Sequence, residues 1–247
     1  MVKIYPRNTW MINEKTSYCP GCSHGLIQKI LAEVIEELDI GENTIGVSPV
    51  GCGGTIHRNL GLDFVQAAHG RAPAVATGIK RVLPEKVVFT YQGDGDLISI
   101  GTANIIHAAA RGEKITVFFI NNATFGMTGG QMAPTTLVGQ KTTTSPRGRN
   151  PLTMGYPIRA SEMLASFAGV SYIARIALNN PKNVRIAKKY IKKAFSNQID
   201  GKAFSMVELL SICPTNLKLS PVEAIKWLEN EMISYYKLGE LKTEKEG

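Results

Sequence analysis

Apolar positions recur along this chain with two periods, and the periods alternate. Residues 24–38, HGLIQKILAEVIEEL, place Leu26, Ile27, Ile30, Leu31, Val34, Ile35 and Leu38 on one stripe, with the roughly 3.6-residue period of a helix. TIGVSPV (44–50) predicts a short strand that ends at GCGG. APAVATGIKRVL (72–83) predicts a helix, and the β-branched and aromatic VVFTYQ (87–92) predicts a buried strand that ends at GDGD. A helix rich in small residues follows over 98–110, then the core strand ITVFFIN (115–121). VSYIARI (170–176) and FSMVELLSI (204–212) flank a basic helix, and a last amphipathic helix starts near Pro221. Strands that alternate with helices predict an α/β fold, a mostly parallel sheet with helices on both faces. With no internal repeat and no linker, the expectation is one domain over 1–247.

Residues 122–157 break the pattern. They are rich in Gly, Thr and Pro and carry little periodicity. A loop that long in a compact domain is functional or disordered, and its start directly after the 115–121 strand favours function. The terminal KTEKEG reads as a frayed tail.

Composition narrows the classes. A length of 247 residues with 44% hydrophobic content buries a core without disulfides. No apolar run approaches the roughly 18 residues of a membrane span, and the first residues do not read as a signal peptide. The expectation is a cytoplasmic protein with no membrane contact. The formal charge is 28 − 20 = +8, and the densest basic run, KNVRIAKKYIKK (182–193), reads as a solvated helix face or a docking patch for an acidic partner. No motif or basic–aromatic interleaving points to nucleic acid.

The chain has only four cysteines, Cys19, Cys22, Cys52 and Cys213. A Cys-x-x-Cys in YCPGC is a redox disulfide, half of a zinc site or half of an iron–sulfur site, and in a reducing compartment metal or catalysis comes first. A second chemistry lies at the ends of two predicted strands. Ligands of open α/β sheets sit beyond the carboxyl ends of strands. There Asp94 and Asn122 would offer a carboxylate and an amide oxygen, with a backbone carbonyl, as ligands for a hard cation such as magnesium. GDG alone is a common turn. GDG and NN, each directly after a strand, make the thiamine-diphosphate pattern.

Taken with CPGC, GCGG, HGRAPAVATGIK, GDGD, NNATFGMTGGQMAPTT and CPTN, the chain resembles the β subunit of the 2-oxoacid:ferredoxin oxidoreductase family from about Tyr18 to past Cys213. The resemblance implies a thiamine-diphosphate-binding fold. It implies that Cys19, Cys22, Cys52 and Cys213 hold a [4Fe–4S] cluster, a use that also suits four soft thiolates. Asp94, Asn122 and the carbonyl of Thr124 would hold Mg2+. Gly93, Gly95, Asp96, Met127 and Thr128 would line the diphosphate, and His69 would be a catalytic residue near the cofactor. Gly51, Gly53 and Gly54 flank the third cysteine and would let the backbone run close to cluster and thiamine. His24, His57 and His107 read as structural.

The same resemblance implies oxidative decarboxylation of a small 2-oxoacid to acyl-CoA and carbon dioxide, with coenzyme A as co-substrate and ferredoxin as electron acceptor. It implies an α-type subunit that supplies the pyrimidine-binding domain and its activating Glu, and γ and ferredoxin-like δ subunits. Some 2-oxoglutarate-type members carry a Lys where this chain reads Thr128-Gly129-Gly130. A branched-chain 2-oxoacid is therefore favoured, and 2-oxoglutarate stays open through Arg71, Arg147 or a partner residue. Two rivals are the diphosphate-binding half of a non-oxidative thiamine-dependent decarboxylase or carboligase, and a basic zinc-stabilised binding module.

Overall fold

The computed structural model describes residues 8–12 and 15–243. Its strands are β1 (Thr44–Ser48), β2 (Asp63–Gln66), β3 (Val87–Gly93), β4 (Thr116–Asn121), β5 (Val170–Ala177), β6 (Phe204–Leu210) and β7 (Gly239–Thr243). The α-helices in chain order are α1 (His24–Glu37), α2 (Ala72–Val82), α3 (Thr102–Ala110), α4 (Pro151–Met154), α5 (Ala160–Ala165), α6 (Pro181–Ile199), α7 (Pro214–Leu217), α8 (Pro221–Trp227) and the single turn α9 (Ile233–Tyr235). The strands form one sheet in the order β2-β1-β3-β4-β6-β5-β7. All neighbours are parallel except β7, which runs antiparallel to β5.

The two-residue period of the central strands sorts their side chains into two cores. Phe89, Tyr91, Phe118 and Ile120 face α1 and α6, where Phe89, Phe118 and Phe195 meet edge to face. Val88, Val117 and Phe119 face α2, α3 and α5. β3 and β4 are buried along nearly their whole length, which explains their continuous apolar sequence. A third cluster, including Leu137, Ile212, Leu228 and Tyr236, seats α8 and the turn after it against the carboxyl end of the sheet.

Several boundaries differ from the sequence reading. The helix expected at 98 begins as a π-helical turn, Asp96–Ile100, and becomes α-helical only from Thr102. The strand read as 204–212 stops at Leu210. β2 was not foreseen: it is a short and largely exposed edge strand, and such a strand has no buried face to impose an alternating pattern. The tail reading is corrected at its start. Lys242 and Thr243 pair with Ile173 and Tyr172, and Lys242 Nζ donates to Phe167 O at 2.5 Å. The rest of the tail lies outside the described residues.

The basic run lies within α6, and its cations are partly spent inside the fold. Lys188 pairs with Glu33 and Glu37 of α1, both at 2.8 Å, and Lys193 pairs with Glu240 of β7 at 2.7 Å. Among the described residues no helix is long and apolar enough to cross a membrane.

Candidate functional site

The chain leaves β1 towards the β2 edge and leaves β3 in the opposite direction, towards β4. The crevice between two such strands is where doubly wound sheets bind ligands. The recess there brings together Gly51 and Gly53 after β1, Gly93, Asp94, Gly95 and Asp96 at the end of β3, and Asn122, Thr124, Met127 and Thr128 after β4, with His69 at the side, whereas Gly54, also expected close to cluster and thiamine, lines neither this recess nor the next. Gly51 adopts φ 100° and ψ −163°, a conformation that side chains rarely adopt. It turns the chain from β1 into the short 3-10 helix that starts at Cys52.

Asp94 is the electrostatic centre of the recess. It is 2% exposed, and its carboxylate accepts from Thr135 Oγ1 at 2.6 Å, Gly95 N at 2.9 Å and Thr124 N at 3.1 Å. Burial nevertheless pushes its pKa up to about 6, because no cationic side chain among the described residues pairs with it. Such a carboxylate gains most from a bound cation. Asn122 Oδ1 also accepts from Thr124 N, at 3.2 Å, so amide and carboxylate converge on one backbone group. Between them Ala123 sits at φ 59°, a left-handed conformation costly for a residue with a Cβ. Asn121 Oδ1 holds it by accepting from Ala123 N at 3.1 Å.

Asp96 acts as a clasp. Its oxygens accept from Gln92 Nε2 at 2.5 Å, Gly70 N at 2.9 Å and Val50 N at 3.4 Å. His69 Nδ1 lies 2.6 Å from Asp96 Oδ1 without an aligned hydrogen bond. Arg71 and Arg147, considered as partners for a substrate carboxylate, are both exposed and line neither this recess nor the next.

A second recess opens beside the first. It is lined by all four cysteines, and none of them is in a disulfide. Specific ties bring the segments together. Ile212 N, one residue before Cys213, donates to Ser23 Oγ, one residue after Cys22, at 3.2 Å. Thr55 Oγ1, in the Cys52 helix, donates to Tyr18 OH, one residue before Cys19, at 2.9 Å. Burial pushes the thiols of Cys22 and Cys52 up to about 11, and the neighbouring thiols add to the shift. Among the described residues no three His, Cys, Asp or Glu side chains converge tightly enough for a single metal ion. All four thiols nevertheless line the one recess.

The two recesses share a wall. His24, Cys52, Asn122, Gly126 and Met127 line both. His24 is buried, its Nδ1 is 2.6 Å from Tyr91 OH, and its ring stacks on Tyr18 at 4.8 Å. Burial pushes it down to about 4, so it is neutral. The sequence reading left His24 as structural and overlooked its place between the sites. It also missed Arg149, the hub of the 122–157 loop. This buried guanidinium donates to the carbonyls of Thr136 at 2.6 Å, Tyr156 at 2.8 Å, and Pro134 and Gly155 at 2.9 Å. In that way it delivers Thr135 to Asp94.

The family model for the thiamine pyrophosphate enzyme, C-terminal TPP binding domain, matches residues 39–209. The chain is 38% identical over 234 residues to the 2-oxoglutarate synthase subunit KorB of Methanocaldococcus jannaschii, covering 92% of this chain and 82% of the relative. This chain belongs to the thiamine-binding subunits of the 2-oxoacid:ferredoxin oxidoreductase family. It is also 47% identical over 230 residues to the ketoisovalerate oxidoreductase subunit VorA of Methanothermobacter marburgensis, covering 93% of this chain and 48% of the relative. The chain thus spans about half the length of the ketoisovalerate relatives it matches. Among solved structures, a 2-oxoglutarate:ferredoxin oxidoreductase from Magnetococcus marinus shares its fold, with a TM-score of 0.77, 23% identity and coverage of 96% of this chain and 84% of that one.

Proposed function

We propose that this chain is the thiamine diphosphate- and iron–sulfur-binding β subunit of a 2-oxoacid:ferredoxin oxidoreductase that forms acyl-CoA and carbon dioxide. The observation that carries the reading is the shared wall. A buried carboxylate–amide site and a four-thiol recess, both built by this one chain, stand side by side with Cys52 and Asn122 in common. A non-oxidative decarboxylase or carboligase has no use for the thiol recess, and a zinc-stabilised binding module has none for the Asp94 site.

Bound thiamine diphosphate supplies the nucleophilic carbon and electron sink for decarboxylation, and a neighbouring cluster accepts single electrons. The residues of this chain bind and orient. Asp94, Asn122 and the Thr124 carbonyl suit Mg2+, an oxygen-seeking ion that keeps part of its shell for phosphate. Gly93 and Gly95 let the backbone approach the diphosphate. Cys19, Cys22, Cys52 and Cys213 hold a [4Fe–4S] cluster. His69, set against Asp96 through Nδ1, keeps Nε2 available to hold a proton at the mouth of the recess.

The partner follows from what the lining does not offer. Among the described residues no glutamate lines either recess, so the glutamate that activates the aminopyrimidine ring comes from an α-type subunit. γ and ferredoxin-like δ subunits, coenzyme A and ferredoxin complete the assembly. No Lys or Arg of the described chain lines the recess, which favours a branched-chain 2-oxoacid of the ketoisovalerate type over 2-oxoglutarate.

The test is ferredoxin reduction by the chain co-purified with its α-type partner, with coenzyme A and either 2-oxoacid. Ketoisovalerate should give the higher kcat/KM. Turnover by the chain alone, or products that form without ferredoxin reduction, would contradict the proposal.

A further inference from the structure

Asn216 occupies a place that the proposed chemistry does not explain. It follows Cys213 by three residues in α7, and its side-chain amide nitrogen makes two hydrogen bonds. Nδ2 donates to Cys213 Sγ at 3.2 Å and to Gly126 O at 2.9 Å. The first partner is a thiol of the cysteine recess. The second is a carbonyl in the loop that carries Asn122 and Thr124.

The fit around this amide is close. A Cβ on Gly130 would stand 3.0 Å from the Asn216 side chain, and Gly130 adopts φ +80°. A Cβ on Gly126 would stand 3.3 Å from Cys52 Sγ and 3.9 Å from Asn216 Nδ2. The loop is folded back on itself by Gly130 N donating to Phe125 O at 2.9 Å. Asn216 is therefore the strut that fixes the diphosphate loop and the Cys213 thiol at one spacing.

We propose that Asn216 is a positioning residue for electron transfer: its amide donates to the Cys213 sulfur, raises the reduction potential of the cluster, and holds the diphosphate loop against it. The inference rests on the cluster assignment above. Reduction adds negative charge that the ligating sulfurs share, and an N–H dipole aimed at one of them stabilises the reduced form more than the oxidised form. Removing the donor shifts the potential downward.

The experiment is an anaerobic redox titration of the assembled protein, followed by EPR, for wild type, Asn216→Leu, Asn216→Asp and Asn216→Gln, with iron and acid-labile sulfide measured on each. The Leu variant should keep its iron and move to a more negative potential. The Asp variant, nearly isosteric but with a carboxylate in place of the donor, should move further the same way, and the Gln variant should recover part of the shift. Thiamine diphosphate affinity should fall in the Leu and Asp variants, since Gly126 O loses its donor. Iron-replete variants with an unmoved potential would overturn the inference. Loss of iron from all three variants would also overturn it, by making Asn216 a requirement for cluster assembly. A wild type with thiamine bound but no iron would instead overturn the cluster assignment itself.

Discussion

At the scale of the residue, one buried carboxylate and four thiols carry the account. Asp94→Asn keeps the shape and removes the charge. Magnesium-dependent thiamine diphosphate binding, measured by calorimetry, should weaken by more than the about 10–100-fold typical of lost outer partners, while iron content stays unchanged. An unaltered affinity would place the cation elsewhere. Cys213→Ser should lose or degrade the cluster, because Ile212 and Ser23 bring that thiol to Cys22 across the fold. An intact cluster there would make Cys213 a merely buried side chain. Asp94, Cys52 and Cys213 stand out in sequence because each follows a strand or starts a helix, and Cys19 and Cys22 because of their Cys-x-x-Cys spacing. Thr135 and Arg149 do not. Thr135 reaches Asp94 only because Arg149 gathers carbonyls from 134, 136, 155 and 156, and bonds to backbone carbonyls leave no pattern of side-chain types.

At the scale of the element, strands β4, β6 and β5 and helix α5 are tied by polar groups inside an apolar core. Glu208 on β6 accepts from Arg175 Nε on β5 at 2.7 Å, from Asn121 Nδ2 on β4 at 2.7 Å, and from Ser161 Oγ on α5. Arg175 is fully buried and also reaches Glu162 at 2.5 Å. Glu208→Ala takes the buried carboxylate from this guanidinium, leaving it Glu162 and the Lys237 carbonyl, and frees Asn121, the residue that pins Ala123. Chemical denaturation should show a loss of about 3–5 kcal/mol, as for other broken buried pairs. A loss under about 1 kcal/mol would mean that water replaces the carboxylate. Gly70 makes a second element-scale prediction. It has φ +76°, and an added Cβ would stand 2.6 Å from Gly101 N, so no flexible side chain can yield. Gly70→Ala should cost about 1–3 kcal/mol through backbone strain and release the bond from Gly70 N to Asp96. The long periodic elements α1, α6, β3 and β4 were read correctly from sequence because each buries a face. β2 and β7 were missed because each sits at a sheet edge, where exposure erases the two-residue period and pairing with a neighbour, not composition, makes the strand.

At the scale of the whole molecule, the sheet sets both recesses side by side beyond the carboxyl ends of its strands. The +8 charge is less available than the sequence implies, since Lys188 and Lys193 are spent on Glu33, Glu37 and Glu240. Among the described residues no glutamate lines either recess, and under the proposed function thiamine turnover should appear only when an α-type subunit is added. The central claim is narrower than turnover: one chain carries a thiamine site and an iron–sulfur site with a common wall. The most direct test is the iron, acid-labile sulfide and zinc content of anaerobically purified protein. The account predicts about four irons and four sulfides per chain, the content of a [4Fe–4S] cluster on four thiolates. One zinc per chain with no sulfide would contradict it.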